Sequence, residues 1–200
     1  KNISINSCPS LISVNLSNLP KLSNLLFEHN IITNEINLSN SGTLNFDPSS
    51  GFVISENSSL TNINLTGTKV FNLSCSKNNI LSNLDVSDCN SLTGLTCDRN
   101  QLTSLDLSQN TALNYLFCPD NQLTSLDVRN GNNTNFTYFV TTGNQNLNCI
   151  SVDDAAWSTA NWTNIDAHTS FSDDCNAVAA APKTYVPDDN FEAYLETHDA

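Results

Sequence analysis

The 200-residue sequence contains no methionine and only seven lysine and arginine residues. With 20 acidic residues against those seven, the formal net charge is −13. A chain this acidic repels phosphate backbones, so nucleic acid is a poor candidate partner. No apolar run approaches the roughly 18 residues of a membrane-spanning helix, which argues against membrane insertion of this segment. The polarity of the chain comes instead from Asn, Ser and Thr.

Sequence motifs of enzymes are also missing. The three histidines, His29, His168 and His198, are scattered. There is no GxSxG nucleophile motif, no HExxH zinc motif and no glycine-rich phosphate loop. The paired carboxylates, such as Asp153 and Asp154, are sequence neighbours, whereas glycoside hydrolysis needs two carboxyl groups about 5–10 Å apart across a cleft. We therefore predict no catalysis and no resident metal ion.

The sequence does contain an internal repeat. Residues 97–110 read CDRNQLTSLDLSQN, and residues 118–130 read CPDNQLTSLDVRN. A triplet with apolar first and third residues recurs mostly in steps of 10 or 11 residues, with irregular spacing between Leu38 and Ile63 and at 131–146. Period-2 alternation flanked by Asn, Ser and Gly is typical of short strands with one buried face. A fixed repeat of such strands predicts stacked coils.

Stacked coils place equivalent residues in columns. Inward columns are predicted for Leu73, Leu95 and Leu116, for Leu84, Leu105 and Leu126, and for Cys75, Cys97 and Cys118. We expect these cysteines to be reduced and to act as small apolar residues, although a bridge between adjacent coils stays open. Three residues after each triplet, asparagine is frequent. We predict a buried ladder that satisfies the backbone groups of the turns, formed by Asn78, Asn100, Asn110, Asn121 and Asn144.

The segment LTGLTCDRNQLTSLDLSQN (92–110) resembles a leucine-rich repeat. Its 21-residue form with a nested 10/11 period is similar to the repeats of secreted Bacteroidota surface proteins. The resemblance covers roughly residues 1–152 and is strongest at 70–130. It implies a right-handed leucine-rich-repeat solenoid of short parallel β-strands and loops, with little helix outside the cap and the next module. It also implies an extracellular or cell-surface protein exported by the type IX route.

The resemblance extends to the rest of the chain. Residues 149–175 resemble the C-terminal cap of such a solenoid, in which Trp157 and Trp162 would cover the open apolar end. A disulfide between Cys149 and Cys175 fits, because the cap closes back on the last coil and a secreted chain meets an oxidising environment. We interpret residues 176–184 as a linker and 185–200 as the beginning of a second similar module. We therefore expect a longer parent protein, with a solenoid that begins upstream.

An acidic stripe is the first candidate site. Asp85, Asp106 and Asp127 occupy the middle of LDL or LDV triplets, so they are predicted to point outward in one column. Charges about 4.8 Å apart repel by roughly 0.9 kcal/mol per pair in bulk water, and by less with salt. Three interpretations stay open: a solvated stripe, a ligand-facing stripe, and a calcium site. The flat face, which cannot easily surround an ion, argues against the last of them.

The second candidate site is an apolar patch. The alternate strand column is predicted to carry Ser74, Thr96, Phe117 and Val140 outward, with Tyr115 and Tyr138 nearby. An exposed aromatic residue on a polar sheet is a common way to dock a sugar ring or an apolar patch. In the alternative interpretation, the insertion GNNTNFTYF (131–139) folds over this face and packs on it. The ligand-binding candidates are Phe117, Val140 and Tyr115, together with Asp85, Asp106 and Asp127.

The function expected from these features is a non-catalytic recognition or adhesion module. It would bind a protein or glycan ligand through the solenoid surface and need no cofactor. Two alternatives stay open: a structural spacer in a long multi-module surface filament, and an accessory domain of a larger secreted enzyme.

Overall fold

A computed structural model describes residues 2–8, 10–31, 34–44 and 53–176 of the chain. The predicted second module at 185–200 and the predicted linker at 176–184, apart from Asn176, lie outside the described residues.

Short strands make up most of the regular structure, because a turn-forming Asn, Ser or Gly follows most of the alternating triplets. In chain order the strands are β1 (Asn2–Asn6), β2 (Val14–Asn15), β3 (Asn24–Glu28), β4 (Glu35–Asn37), β5 (Thr43–Leu44), β6 (Val53–Ser55), β7 (Asn62–Asn64), β8 (Lys69–Val70), β9 (Asn72–Ser74), β10 (Gly94–Thr96), β11 (Ser104–Asp106), β12 (Tyr115–Phe117), β13 (Ser125–Asp127), β14 (Tyr138–Val140), β15 (Cys149–Ser151) and β16 (Ser170–Ser172). The chain also forms a single turn of 3₁₀-helix (Asn133–Asn135) and one α-helix, α1 (Ala155–Asn161).

The strands pair in parallel with strands of neighbouring coils. The longest sheet has seven strands in the order β1-β3-β6-β9-β10-β12-β14. The others have the orders β11-β13-β15-β16, β2-β4-β7 and β5-β8. The described chain is therefore a parallel β-solenoid of roughly seven coils. This confirms the predicted fold class, a solenoid of short parallel strands with little helix.

Apolar columns fill the inside of the solenoid. Leu95 is in register with Leu73 on one side and with Leu116 on the other, and all three are buried. The next inward column contains Cys75, Cys97 and Cys118, which are fully buried and not disulfide-bonded. Burying one leucine side chain stabilises a fold by about 1.5–3 kcal/mol. Each coil thus obtains its core from the coils on both sides of it.

A ladder of buried asparagines links successive coils. The Nδ2 group of Asn100 donates to the backbone oxygen of Cys75 in the preceding coil at 2.9 Å, and Asn144 does the same to Cys118 at 3.2 Å. In the other direction, the backbone N–H of Asn78 donates to Oδ1 of Asn100 at 2.9 Å. The members of this ladder are Asn30, Asn57, Asn78, Asn100, Asn121 and Asn144.

The ladder ends at an aspartate. Asp166 accepts the N–H groups of Gly143 and Asn144 at 2.9 and 2.8 Å. Its carboxylate takes the place that the next asparagine amide would have. Because both of its oxygens are used, the last coil leaves neither of these turn N–H groups unpaired.

Asn110 is buried and bonds turn backbone groups, as predicted, but it lies in a separate column, half a coil away from this ladder. Its Nδ2 group donates to the backbone oxygens of Val86 and Cys89 at 2.9 and 3.0 Å. Its Oδ1 atom is buried without a hydrogen-bond partner, because the N–H of Cys89 donates to Val86 instead. In the same way Ser41 and Thr68 bond backbone oxygens of their preceding coils, so this column uses mixed side chains.

Most coils turn through a residue in the left-handed backbone region just after the strand of the seven-stranded sheet. The φ angle is between 54° and 57° at Ser7, His29, Glu56, Lys77, Arg99 and Asp120. The equivalent residue of a later coil is Gly143, with φ of 77°. A side chain with a Cβ atom is strained in this conformation, whereas glycine is not. Six of these turns therefore carry backbone strain that a glycine would relieve.

Residues 149–175 close the C-terminal end of the described solenoid. Helix α1 begins after Asp154, whose side chain accepts the N–H of Trp157 at 2.9 Å. Strand β16 pairs in parallel with β15, so this segment also adds a strand to the four-stranded sheet. A disulfide joins Cys149 to Cys175, across a sequence separation of 26 residues.

An aromatic cluster fills the space beneath the cap. Trp162 is only 6% exposed, and its ring stacks on Phe139 with centroids 3.9 Å apart. Phe136, Phe171 and Trp157 lie around it at centroid distances of 5.2, 5.7 and 5.8 Å. Trp162 thus covers the apolar end of the solenoid, and Trp157 packs edge-on against it. No helix in the described ranges has the length and apolar composition to cross a bilayer.

Candidate ligand-binding surface

Two outward columns run side by side across the seven-stranded sheet. One consists of Asn72, Gly94, Tyr115 and Tyr138, which are in register on β9, β10, β12 and β14. The other consists of Ser74, Thr96, Phe117 and Val140. Because side chains alternate along a strand, both columns point away from the leucine core. The surface changes from polar on β9 and β10 to aromatic on β12 and β14.

Three aromatic side chains form a cluster at the surface of this face. The rings of Tyr115 and Tyr138 stack with centroids 4.9 Å apart and an interplanar angle of 16°. Phe117 lies 6.1 Å from Tyr138, at 29°. Tyr115 and Tyr138 are nevertheless 37% and 41% exposed. This part of the sheet therefore presents pre-ordered aromatic surface to solvent, which is typical of a binding surface.

Val140 does not belong to this exposed surface, and its prediction as an outward binding residue was wrong. It is in register with Phe117, as expected, but it is only 8% exposed. The reason is its place on β14, the last strand of the sheet. The chain of the cap runs alongside, since the N–H of the next residue, Thr141, donates to the backbone oxygen of Asn164 at 3.0 Å. Val140 therefore packs where the last strand of the sheet meets the cap.

The insertion at 131–139 leaves the tyrosines uncovered. Its Phe136 turns towards the cap, where it lies 6.0 Å from Phe139 and 5.2 Å from Trp162. Phe136 and Phe139 thus pack towards the interior and do not fold over the outward face. The packing interpretation does not hold for Tyr115 and Tyr138, which keep more than a third of their surface exposed.

A groove lies directly beside the aromatic cluster. Its volume is about 310 Å³, and its lining residues are Asn72, Leu73, Ser74, Gly94, Thr96 and Tyr115. The groove exists because Gly94, between Asn72 and Tyr115 in the column, has no side chain. A Cβ atom at this position would lie 2.4 Å from Oδ1 of Asn72. The glycine therefore lets the Asn72 side chain lie low across β10 and leaves a gap next to Tyr115.

The polar side chains of the groove are available to a ligand. Oδ1 of Asn72 accepts a hydrogen bond from the Thr93 hydroxyl at 3.3 Å. Its Nδ2 group and the hydroxyls of Ser74 and Thr96 have no hydrogen-bond partner among the described residues. Because they are partly exposed, water satisfies them in the free protein. A ligand with hydroxyl groups could displace that water and form the same hydrogen bonds.

The electrostatic environment of the groove is acidic. Burial raises the pKa of Tyr115, and the neighbouring Tyr138 and the charge of Asp98 raise this pKa further. Asp98 is only 7% exposed, and no lysine or arginine lines the groove. Tyr115 therefore stays neutral at physiological pH, and the site disfavours anionic ligands.

The acidic stripe has a local structural role. The carboxylates of Asp85, Asp106 and Asp127 each accept the backbone N–H two residues further on, at 2.9, 2.9 and 3.0 Å. The equivalent residues of earlier coils, Asn15, Asn37 and Asn64, make the same bond. The repeated interaction is an Asx turn that ends each triplet. An acceptor oxygen is needed at this position, whether or not it carries charge.

The three aspartates do not form one strand column. Asp106 and Asp127 are in register on β11 and β13, whereas Asp85 belongs to residues 84–86, for which no strand is assigned. A shallow cavity of about 240 Å³ marks this interruption, between Asp85 and Asn64 of β7. In the described parts of the chain, no group of three or more His, Cys, Asp or Glu side chains could hold a metal ion.

Arg129 neutralises the end of the stripe. Its guanidinium group pairs with the carboxylate of Asp127 and also donates to the backbone oxygen of Asp173 at 3.3 Å. Burial opposes ionisation of Asp127, but the hydrogen bonds and charge of Arg129 outweigh it, so the pKa of Asp127 is lowered. The pKa of Asp85 is also lowered, by its hydrogen bonds with Ser87. The stripe is therefore partly compensated by the protein itself.

The buried thiols are poor nucleophiles. Burial raises the pKa of Cys75 far above its usual value and that of Cys89 to about 12. The hydrogen bond with Cys118, together with burial, raises the pKa of Cys97. These cysteines are protonated at physiological pH and act as packing residues.

Two features of this surface were not predicted from the sequence. Gly94, which opens the groove, was treated only as part of a repeat. A glycine inside a strand pattern is a known signal of close approach by another group. The unpaired Nδ2 donor of Asn72 was missed because the groove combines three coils: Asn72 is the strand partner of Gly94, and Tyr115 lies on the far side of Gly94.

The fold and the surface define the class of molecule as a parallel β-solenoid repeat protein with an aromatic surface patch. Comparisons with models of known protein families, with curated proteins and with solved structures find no match for this chain.

Proposed function

We propose that this chain is a non-catalytic recognition module of an extracellular or cell-surface protein. The observation that carries the proposal is the exposed stack of Tyr115 and Tyr138 beside the groove opened by Gly94. Exposed stacked aromatics are rare on surfaces that contact only water, because burying them is favourable. Their fixed strand positions also reduce the entropy lost on binding.

We further propose that the coils are leucine-rich repeats of the kind found in secreted Bacteroidota surface proteins. The support is the 21-residue spacing of the closest repeats and the asparagines that bond each coil to the preceding one, as Asn100 and Asn121 do. The extracellular location is supported by the Cys149–Cys175 disulfide, since such bonds persist in oxidising compartments. Export by the type IX route belongs to the same proposal.

A binding screen tests the recognition function. The 200-residue chain is applied to a glycan array and to a panel of extracellular proteins, with calcium and with a chelator. A double variant, Tyr115→Ala with Tyr138→Ala, is compared with Ser104→Ala with Ser125→Ala, which alters exposed residues of the four-stranded sheet. We expect a saturable ligand whose affinity falls about tenfold or more in the tyrosine variant only.

Other results of the screen would contradict the recognition function or its proposed site. A folded chain that binds nothing in either condition favours a structural spacer between other modules. Binding that the serine variant weakens, while the tyrosine variant does not, moves the site to the acidic face. Binding that needs calcium revives the ion-binding interpretation of the aspartate stripe.

A further inference from the structure

We infer that the groove beside Tyr115 takes one ring of a neutral saccharide, in a slot that Gly94 leaves open in the aromatic column. This inference rests on the recognition function proposed above and names its ligand class. It is carried by four properties of the groove: its orientation, width, polar lining and charge.

The orientation of the slot follows from the tyrosine stack. Tyr138, on β14, covers one face of the Tyr115 ring at 4.9 Å, and the two rings are nearly parallel. Strand β10 lies on the opposite side of β12. The free face of the Tyr115 ring is therefore directed towards Gly94. A flat group placed there would continue the stack by one further step.

The width of the slot suits a single ring. Neighbouring strands are about 4.8 Å apart, so the strands of Asn72 and Tyr115 are separated by roughly 9.6 Å. Gly94 contributes no side chain between them, the Asn72 amide lies low against Gly94, and the groove has a volume of about 310 Å³. This is at the lower end of the range of small-ligand sites. A pyranose ring can place its C–H groups on the tyrosine face at ordinary van der Waals distance.

The polar lining matches hydroxyl groups. The Nδ2 group of Asn72 is a donor, and the hydroxyls of Ser74 and Thr96 can donate or accept. All three lack a partner among the described residues, and all three border the free face of Tyr115. An apolar side chain of a protein partner would leave them unpaired, at a cost of about 1–3 kcal/mol for each buried group. A saccharide would pair them.

The charge of the groove excludes other ring-shaped ligands. A nucleotide, a uronic acid or a sulfated sugar would bring negative charge to a site without a lysine or arginine, close to Asp98, in a chain of net charge −13. A quaternary ammonium group is bound by aromatic rings that surround it. Tyr115 and Tyr138 are stacked at 16° and cannot surround a cation. A neutral sugar ring is the class that remains.

Filling the slot is the direct test. Gly94→Thr adds a β-branched side chain that suits a strand. Its Cβ would lie 2.4 Å from Oδ1 of Asn72, so the flexible Asn72 amide must move aside, and 3.8 Å from the Cβ of Tyr115. The matched control is Ser125→Thr, at an exposed strand position of the four-stranded sheet. Tyr115→Ala removes the stacking face, and Tyr115→Phe retains it. Thermal unfolding of each full-length variant establishes that it folds.

The probes are neutral and anionic oligosaccharides of equal length. Titration calorimetry is performed with four neutral hexasaccharides, built from β-1,4-linked glucose, β-1,3-linked glucose, β-1,4-linked mannose and β-1,4-linked N-acetylglucosamine. Hexagalacturonate and choline are the charged probes. We expect at least one neutral hexasaccharide to bind. Its affinity should fall about tenfold or more in Gly94→Thr and Tyr115→Ala, and should change by less than about threefold in Tyr115→Phe and Ser125→Thr.

Each contrary result overturns the inference in a recognisable way. If none of the neutral hexasaccharides binds the folded protein, the ligand class is wrong. If hexagalacturonate, choline or a protein from the binding screen binds and Tyr115→Ala weakens that binding, the recognition function stands while the saccharide does not. If a neutral saccharide binds equally well to Gly94→Thr, it occupies another site. A chain that binds none of the ligands in either experiment contradicts the recognition function itself.

Discussion

The backbone N–H of Asn78 donates a 2.9 Å hydrogen bond to the side-chain oxygen of Asn100, in the next coil. The amide group of Asn100 in turn donates to the backbone oxygens of Cys75 and Cys97 at 2.9 and 2.8 Å. It also donates to the backbone oxygen of Asp98 at 3.3 Å, so one buried side chain satisfies four backbone groups in two coils. Neither the leucine core nor the strand pairing could satisfy these groups, because they belong to the turn.

Replacing Asn100 with alanine should therefore be costly. We expect Asn100→Ala to lower the free energy of unfolding by about 2–4 kcal/mol, since it orphans several buried groups that cost about 1–3 kcal/mol each. Urea unfolding followed by circular dichroism measures the change. Asn79→Ala, at an exposed position in the preceding coil, is the control and should change stability by less than about 0.5 kcal/mol. Equal effects of the two variants would contradict a ladder that acts through hydrogen bonds.

Arg99→Gly should stabilise the protein. Arg99 has a φ of 54°, and the equivalent residue of a later coil is already glycine, Gly143. Relief of this strain should exceed the added entropy of the unfolded chain, for a net gain of about 0.5–1 kcal/mol. The lost contact with Asp120, at 3.6 Å and solvent-exposed, contributes little. The control is Thr103→Gly, because Thr103 does not have a left-handed backbone conformation, and this variant should lower the melting temperature. A lower melting temperature for Arg99→Gly would refute the strain argument.

Trp162→Ala should unfold the cap first. Trp162 contacts four aromatic rings in the cluster beneath the cap, so its loss leaves a large cavity. We expect a destabilisation of about 3–5 kcal/mol. Trp157→Ala should cost clearly less, because Trp157 is half-buried and lies edge-on to Trp162. Hydrogen exchange of residues 149–172 reports the cap directly, and protection that is unchanged there would oppose this role.

Removing the Cys149–Cys175 disulfide should lower stability by about 3 kcal/mol, as expected for a loop of 26 residues. The double variant Cys149→Ser with Cys175→Ser tests this by urea unfolding. A reductant should destabilise the wild type and leave the double variant unchanged. Cys8→Ser, at a free cysteine, serves as the control. Sensitivity of the double variant to reductant would show that another bridge forms.

Acid should weaken the solenoid through Asp85 and Asp127. The pKa of each carboxyl is lowered in the folded state, so the unfolded chain binds more protons as the pH falls. Their stabilisation is present above the usual aspartate pKa of about 3.9 and is lost as the pH falls through the lowered values. Asp127→Asn should reduce this loss between about pH 4 and pH 2, as measured by melting temperature against pH.

At pH 7 the same variant should cost less than about 1 kcal/mol. The pair with Arg129 is partly exposed to solvent, and asparagine can accept the same N–H, as Asn64 does from Thr66 at 3.1 Å. Asp127→Ala, which also loses the Asx turn, should be clearly less stable than Asp127→Asn. If the two variants are equally stable, the turn does not depend on this acceptor.

The regular part of the solenoid could be predicted because each coil places the same residue types in the same environment. Leu95 and Leu116 differ by 21 in number and are strand partners in the structure. The turn asparagines Asn100 and Asn121 follow from the same period. Periodicity alone did not reveal that Asn110 belongs to a second column, because its local sequence, SQN after LDL, resembles that of the ladder.

The surface depends on irregularities that a fixed period cannot describe. Tyr115 and Tyr138 differ by 23 rather than 21, because the insertion containing Phe136 lengthens that coil, and only the three-dimensional register pairs them. Val140 was misplaced for a related reason, since its exposure depends on where the cap chain returns. Residues 84–86 have the same alternation as β11, yet they form no strand. That difference arises from pairing with neighbouring coils and has no signal in the triplet itself.

The disulfide of the cap has a mechanical consequence. Coils that are bonded only to their neighbours separate one at a time when a chain is pulled from its ends. The bridge between Cys149 and Cys175 carries the force directly from one cysteine to the other, so the segment between them, a sequence separation of 26 residues, is not under tension. At up to about 3.5 Å per residue, roughly 90 Å of chain cannot be extended while the bond is intact. Under load, the cap thus acts as a stop that keeps Trp162 and the last strands folded after the other coils have begun to yield.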